Sequence, residues 1–155
     1  MTTKEIKSFF DKNGYIKIDR VLAGKRLQQI QDEVDFMIKR SHKAGRRLEA
    51  HWGGTWREHI NVDGDKQARS VLSIHRVHEH SAALAQLMFD SNITDPVAAV
   101  VGSENLQLHH TLMHAKPPKI GAAFPLHQDY DYFPHKLDTM VAATLYLDDS
   151  EADNG

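Results

Sequence analysis

The order in which helical and strand patterns follow one another constrains the fold of this chain most. Early apolar residues recur with a period near 3.6, and Leu27, Ile30, Val34 and Met37 predict a long amphipathic helix over about residues 24–41. Extended strand-like alternation follows after about residue 105. Because helices precede strands without βαβ alternation, the sequence predicts an α+β fold with an antiparallel sheet.

Local signals predict where the helices begin and end. Thr2-x-x-Glu5 has the spacing of a capping box and predicts the start of a first helix, which Asn13-Gly14 ends. Ser81 is expected to cap a later helix. Asp95-Pro96 is expected to start another helix, which Gly102 ends.

Two later segments are predicted to form strands. Residues 106–114 alternate, with Leu112 and His114 on one face and with His109 and His110 pointing to opposite faces. Residues 137–147 are rich in Thr, Val, Ala and Leu and predict a second strand. A turn signal over residues 148–155 follows directly, so we expect a sheet that is cut in its middle. Its exposed edge is then expected to allow self-association.

Composition excludes several classes of protein. The 155 residues have a net charge of −2 and contain no cysteine, which excludes disulfides, thiolate catalysis and cysteine zinc sites. The chain shows no basic stripe for nucleic acid and no apolar run near the ~18–20 residues that cross a bilayer. We therefore expect one domain without a nucleic-acid or membrane partner, in the cytoplasm.

Periodicity is lost between about residues 45 and 66, around Trp52 and Trp56. Loops of this length are often lids or binding loops. That both tryptophans fill the edge of the core is an equal alternative.

The tripeptide His127-Gln128-Asp129 is the sharpest chemical feature. In extended backbone, residues i and i+2 project to the same side, so one imidazole and one carboxylate can hold one cation. With a second histidine they would form the facial triad that suits Fe(II) and leaves positions open for a cosubstrate and O2. Because the chain has 11 histidines, about one such pair is also expected by chance. On spacing alone, a surface loop without a ligand is the alternative.

Residues 124–134 (FPLHQDYDYFP) resemble the iron-binding segment of the phytanoyl-CoA dioxygenase family. The resemblance extends backward over residues 110–118, which contain HTL and KPP, and forward over residues 146–155, which contain YLDD and NG. Residues 9–16 (FFDKNGYI) resemble the opening of that family. The resemblance therefore covers most of the chain.

This resemblance implies an Fe(II)- and 2-oxoglutarate-dependent dioxygenase that uses O2 to hydroxylate an unactivated C–H bond. The implied fold is a set of N-terminal helices packed on a double-stranded β-helix of the jelly-roll or cupin type, here incomplete. The implied substrate is a small organic or acyl molecule, and acyl-CoA, amino acid and secondary metabolite all stay open.

The resemblance also implies roles for individual residues. His127 and Asp129 match the iron ligands and so the catalytic centre. Arg76, in the segment SIHR, matches an upstream contact to the cosubstrate, and a guanidinium suits a carboxylate. The implied cosubstrate contacts are Arg76, Leu112, Gln128 and Thr144. An acidic ligand at Asp129, where halogenating relatives carry a small residue, favours hydroxylation.

In the family, a second iron-binding histidine and an arginine that anchors the far carboxylate of 2-oxoglutarate follow the Asn-Gly pair. The sequence stops at Gly155, before both. We therefore expect residues 1–155 to be the N-terminal part of one dioxygenase domain, truncated after Gly155. Such a chain is expected to lack turnover and to fold poorly alone.

Two other functions stay open. A cupin-type metal-binding protein would hold its ion with His110, His114 and His127, without 2-oxoglutarate. A non-catalytic remnant or interaction module would need none of these side chains. The spacing His75-x-x-His78 is also found in metal sites, but a solvated or capping role is the stronger expectation there.

Overall fold

The computed structural model describes residues 1–43, 72–115 and 127–151. The predicted loop around Trp52 and Trp56 therefore lies outside the described residues. So do the KPP motif at 116–118, the first three residues of the 124–134 segment, and the closing NG.

The first two helices follow the sequence signals. Helix α1 spans Thr3–Asn13 and begins with the predicted capping box, in which the Thr2 hydroxyl accepts from the backbone N–H of Glu5 and the Glu5 carboxylate accepts from the backbone N–H of Thr2. It ends at Gly14, whose φ of 75° lies in the left-handed region that glycine adopts freely. Helix α2 spans Gly24–Lys43, two residues longer than the 24–41 prediction.

Three short helices follow the first strand. Helix α3 spans Val77–His80 and α4 spans Ala82–Leu87, and α4 is capped as predicted by the Ser81 hydroxyl, which accepts from the N–H of Leu84. Helix α5 spans Ser91–Val101 and ends at Gly102.

The predicted start of α5 at Asp95-Pro96 is wrong. The helix begins four residues earlier, because the Asp90 carboxylate accepts the N–H of Asn92 at 3.0 Å and acts as the N-cap. Pro96 lies inside the helix. Since proline has no N–H, that turn forgoes one backbone hydrogen bond.

Two strands pair in the described part of the chain. Strand β1 spans Leu72–His75 and β2 spans Leu112–Ala115, and they run antiparallel with His75 opposite Leu112. The prediction of a strand over 106–114 is right only at its end, since 106–111 have no strand assignment. Residues 137–147 have no strand either, and the sheet of the described residues consists of β1 and β2.

The described elements are therefore helices plus a small antiparallel sheet, which agrees with the α+β prediction. The double-stranded β-helix stays a prediction.

Two packed groups of side chains hold these elements together. The main core joins α2 to the sheet, α3 and α4, and consists of Ile30, Met37, Ile74, Val77, Leu84 and Leu87. Helix α1 packs separately on α5, through buried Ile6 and Ala99, and Lys7 Nζ donates to the Val100 carbonyl at 3.4 Å.

The segment before residue 148 packs on the main core although it is not paired. Leu145 and Leu147 contact the core, while Tyr146 between them is exposed. The Gln31 side chain on α2 donates to the Leu147 carbonyl at 2.6 Å. This alternation is the two-residue period of extended backbone that has one face on the core.

No helix within the described ranges is both long enough and apolar enough to cross a bilayer.

Candidate functional site

The backbone around Gln128 brings the two predicted iron ligands together. Gln128 is extended, with φ −112° and ψ 138°, so its neighbours project to the same side. A 3₁₀ turn over Asp129–Asp131 follows, in which the Asp129 carbonyl accepts the N–H groups of Tyr132 and Phe133 at 3.0 and 2.9 Å. Nε2 of His127 then lies 3.4 Å from Oδ1 of Asp129.

This separation fits two ligands of one cation. Bonds of about 2.0–2.2 Å place neighbouring ligand atoms roughly 3 Å apart when they meet at a right angle. The separation of 3.4 Å needs only a somewhat wider angle. The side chains of His127 and Asp129 are 28% and 44% exposed, so an ion and further ligands have access to them. The donor set of one imidazole and one carboxylate therefore fits a divalent metal such as iron.

Tyr132 lies beside this pair. Its ring meets the His127 ring edge-on at a centroid distance of 5.8 Å. Loss of solvent contact, and then the charges of Asp131 and Asp129, raise the pKa of the Tyr132 phenol above its ordinary value. The phenol therefore stays neutral and keeps its proton near the carboxylates.

Arg76 lies at the end of the two-stranded sheet. Its N–H donates to the Thr111 carbonyl at 2.7 Å, which continues the β1–β2 ladder one bond past His75 and Leu112. Arg76 adopts the left-handed conformation, with φ 57° and ψ 44°. For a residue other than glycine this conformation costs about 1–2 kcal/mol, so the surrounding contacts must hold it in place.

Phe133 joins the 127–135 segment to this end of the sheet. The rings of His109 and His110 lie 4.7 and 5.3 Å from the Phe133 ring, and their two Nδ1 atoms share a 2.8 Å hydrogen bond. The prediction that these histidines point to opposite sides is therefore wrong, because the strand that would alternate them begins only at Leu112.

The charges of neighbouring side chains affect the protonation of His110. Burial, then the charges of His109 and His75, lower the pKa of His110 below its ordinary value, while Asp129 acts in the opposite direction. His110 therefore experiences the charges of both His75, at the end of β1, and Asp129, in the predicted metal pair.

The other predicted cosubstrate residues are Leu112, Gln128 and Thr144. Leu112 is half-buried on β2, and Gln128 is exposed between the two ligand side chains. Thr144 is exposed in the segment that packs on α2. Arg76 and Leu112 lie at one end of the sheet, and Phe133, four residues after Asp129, contacts His109 and His110 just before Leu112.

Two further histidines lie beside neighbouring hydroxyl groups. His78 Nδ1 lies 2.6 Å from the Thr111 hydroxyl, and His114 Nδ1 lies 2.8 Å from the buried Ser73 hydroxyl. The contact of His78 thus joins α3 to the residue before β2, whereas a solvated or capping role was expected. Within residues 1–43, 72–115 and 127–151, no three potential ligand side chains form a metal-binding group. The three-histidine site of His110, His114 and His127 is accordingly not assembled there.

An open cavity of about 340 Å³ lies beside the 3₁₀ turn. Its lining residues are Tyr130, His135, Lys136 and Asp138. The ring of His135 meets that of Tyr130 at 5.1 Å, and its Nδ1 lies 2.7 Å from the Phe133 carbonyl oxygen.

Sequence reasoning missed two contributors to this region. Glu79 forms an ion pair with Arg76, and the i,i+3 spacing of the two residues is the signal that would have indicated it. Phe133 had no signal of its own, because its contacts to His109 and His110 join distant parts of the chain.

Comparison with known proteins gives one family. The family model described as phytanoyl-CoA dioxygenase (PhyH) matches residues 10–155. No solved structure gives a significant match.

Three curated relatives align with nearly the whole chain. The probable alpha-ketoglutarate-dependent hypophosphite dioxygenase of Stutzerimonas stutzeri is 27% identical over 100% of this chain and 51% of its own length. The peroxisomal phytanoyl-CoA dioxygenase of Homo sapiens is 24% identical over 99% of this chain and 45% of its own length. The ectoine dioxygenase of Nocardia farcinica (strain IFM 10152) is 27% identical over 96% of this chain and 46% of its own length.

The chain therefore spans about half the length of the curated relatives it matches. The family match extends over the His127-x-Asp129 pair, Arg76 and the two paired strands. From residue 10 onward, the chain belongs to the phytanoyl-CoA dioxygenase (PhyH) family.

Proposed function

We propose that this chain is part of an Fe(II)- and 2-oxoglutarate-dependent dioxygenase that hydroxylates a C–H bond of a small organic or acyl substrate. The observation that carries the proposal is the 3.4 Å separation of His127 Nε2 and Asp129 Oδ1, on side chains that remain accessible. Family membership supports the class of reaction, and one relative's name specifies alpha-ketoglutarate.

In this proposal His127 and Asp129 hold the iron. Arg76 binds a carboxylate of 2-oxoglutarate, because its backbone is fixed at the end of the sheet and its guanidinium can form paired hydrogen bonds with a carboxylate. Leu112, Gln128 and Thr144 are proposed to line the cosubstrate site.

The iron and cosubstrate supply the oxidative chemistry when bound: 2-oxoglutarate and O2 become succinate and CO2, and the substrate C–H becomes C–OH. The chain's own contribution is to place the two metal ligands and to keep one face of the ion open. Tyr132 limits the movement of the His127 ring by its edge contact.

We place the second histidine ligand and the arginine for the far carboxylate after Gly155. Two observations support this placement: the relatives are about twice as long as the chain, and the described residues contain no third ligand beside the pair. Residues 1–155 are then the N-terminal part of the dioxygenase domain.

The substrate is proposed to enter through the cavity beside the 3₁₀ turn. Its volume of about 340 Å³ suits a small molecule or one end of a longer one. Lys136 and Asp138 provide one charge of each sign at its wall.

The test is succinate formation from 2-oxoglutarate with Fe(II) and O2, in a protein extended past Gly155 to the length of its relatives. Loss of a metal ligand should lower turnover at least as much as loss of a supporting residue, so Asp129→Ala is expected to lower it by about 100-fold or more. Asp131→Ala removes a carboxylate from the same turn and is expected to keep turnover. Equal turnover in both variants would contradict the proposal.

A further inference from the structure

The Arg76 guanidinium already holds a carboxylate in this structure. Its Nη2 contacts Oε1 of Glu79, three residues later on α3. The side chains of Arg76 and Glu79 are 66% and 43% exposed, so the pair lies in contact with water. An exposed pair of this kind is weak and opens readily.

The backbone of Arg76 is fixed although its side-chain partner is not. The N–H of Arg76 donates to the Thr111 carbonyl, and the hydroxyl of Thr111 in turn contacts His78 on α3. These bonds hold the base of the arginine side chain at the end of the sheet. A change of partner therefore needs only rotation of the two side chains.

We propose that Glu79 is a built-in competitor for 2-oxoglutarate, which occupies the Arg76 guanidinium until a carboxylate of the cosubstrate displaces it. This inference rests on the proposed function, in which Arg76 binds that carboxylate. Glu79 contacts Nη2, and both paired arrangements of a carboxylate on a guanidinium include that nitrogen, so Glu79 must leave before the cosubstrate forms paired bonds. Glu79 is thus a positioning residue that keeps Arg76 in reach of the site and lowers the apparent affinity for the cosubstrate.

The size of the effect follows from competition. Apparent affinity falls by the fraction of protein in which Arg76 is open. For an exposed ion pair, this fraction corresponds to a change of about two- to fivefold in affinity. Removing the Glu79 carboxylate is expected to strengthen cosubstrate binding by that factor. If Glu79 only stabilised α3, its removal would lower thermal stability and leave affinity unchanged.

The experiment follows the side-chain Nε–H signal of Arg76 by ¹⁵N NMR while a protein extended past Gly155, loaded with diamagnetic Zn(II) in place of iron, is titrated with 2-oxoglutarate. Glu79→Gln is expected to lower the midpoint of the titration about two- to fivefold relative to the unmodified chain. Glu104→Gln removes an exposed carboxylate elsewhere and is expected to leave the midpoint unchanged. Glu79→Asp keeps the charge but shortens the reach, and its midpoint is expected to move toward that of Glu79→Gln.

Two results would overturn the inference: equal midpoints in the unmodified chain and Glu79→Gln, or no response of Arg76 in either. A shift in Glu104→Gln as large as in Glu79→Gln would also overturn it, because the cause would then be net charge.

The proposed oxygenase function has a separate readout, which is iron-dependent turnover in the extended protein. If the extended protein turns over but Arg76 does not respond to 2-oxoglutarate, the proposed role of Glu79 is wrong and the oxygenase function stands. If Glu79→Gln lowers the midpoint but the extended protein shows no turnover, the exchange of carboxylates at Arg76 stands and the proposed oxygenase function is wrong.

Discussion

Nε2 of His127 and Oδ1 of Asp129 lie 3.4 Å apart, on either side of a residue with extended backbone. The extended conformation of Gln128 projects both side chains in one direction, and the 3₁₀ turn that follows holds Asp129 through two hydrogen bonds to its carbonyl. The pair is therefore formed by the local backbone, before any metal binds.

Loosening that backbone should weaken metal binding without removing a ligand. Glycine at position 128 adds conformational freedom worth about 0.5–1 kcal/mol relative to alanine. Gln128→Gly is therefore expected to bind Mn(II), measured by electron paramagnetic resonance, about two- to fivefold more weakly than Gln128→Ala. Equal affinities in the two variants would mean that the extended backbone does not preorganise the pair.

The bond between His78 and Thr111 is expected to stabilise the end of the sheet. Thr111→Val keeps the shape of the side chain but removes the hydroxyl that lies 2.6 Å from His78 Nδ1. The expected loss is about 1 kcal/mol in the free energy of unfolding, measured by urea denaturation. Thr111→Ser retains the hydroxyl and should lose less, and an equal loss in both variants would assign the effect to the methyl group.

Asp90 joins two helices and is expected to contribute more to the stability of the fold than its neighbours on α5. Its carboxylate caps α5 at Asn92 and forms an ion pair with Arg26 on α2 at 3.1 Å, with the Asp90 side chain only 12% exposed. Asp90→Ala should cost about 1–2 kcal/mol of stability. Asp95→Ala, an exposed aspartate of the same helix, should change stability by less than ~0.5 kcal/mol. Similar losses in thermal denaturation would contradict the capping role.

The lowered pKa of His110 predicts a pH dependence of stability. Burial and the charge of His109 disfavour the protonated ring in the folded state, so the unfolded chain binds more protons below its ordinary pKa of 6.5. The free energy of unfolding should therefore fall as the pH decreases from about 6.5 through the folded-state pKa.

His110→Asn should flatten this dependence. His80→Asn removes an exposed imidazole at the end of α3 and serves as the matched control. The measurement is urea denaturation between about pH 5 and 7.5. A slope that His110→Asn leaves unchanged would assign the dependence to other groups.

The sequence predicted those features that depend on neighbouring residues. The capping box of Thr2 and Glu5, the cap at Ser81 and the helix end at Gly102 are all confirmed, because each needs only residues within one turn. The start of α5 was mistaken because Asp95-Pro96 is a good local signal, and the ion pair that favours Asp90 involves a residue 64 positions away.

The strands were harder to predict for the same reason. Alternation over 106–114 is compatible with a strand, but only Leu112–Ala115 have a partner in the described part of the chain. In the candidate site, the His127–Asp129 geometry follows from local spacing and was predictable. The approach of Phe133 to His109 and His110 depends on how distant segments pack, which periodicity does not report.

The most direct test of the central claim is anaerobic binding of Fe(II) and 2-oxoglutarate, followed by the visible metal-to-ligand charge-transfer band. The account predicts the band in a protein extended past Gly155, its loss in Asp129→Ala, its retention in Asp131→Ala, and its absence from residues 1–155 alone. No band in the extended protein, or a band that survives Asp129→Ala, would contradict the account. A band from residues 1–155 alone would place the third ligand within this chain.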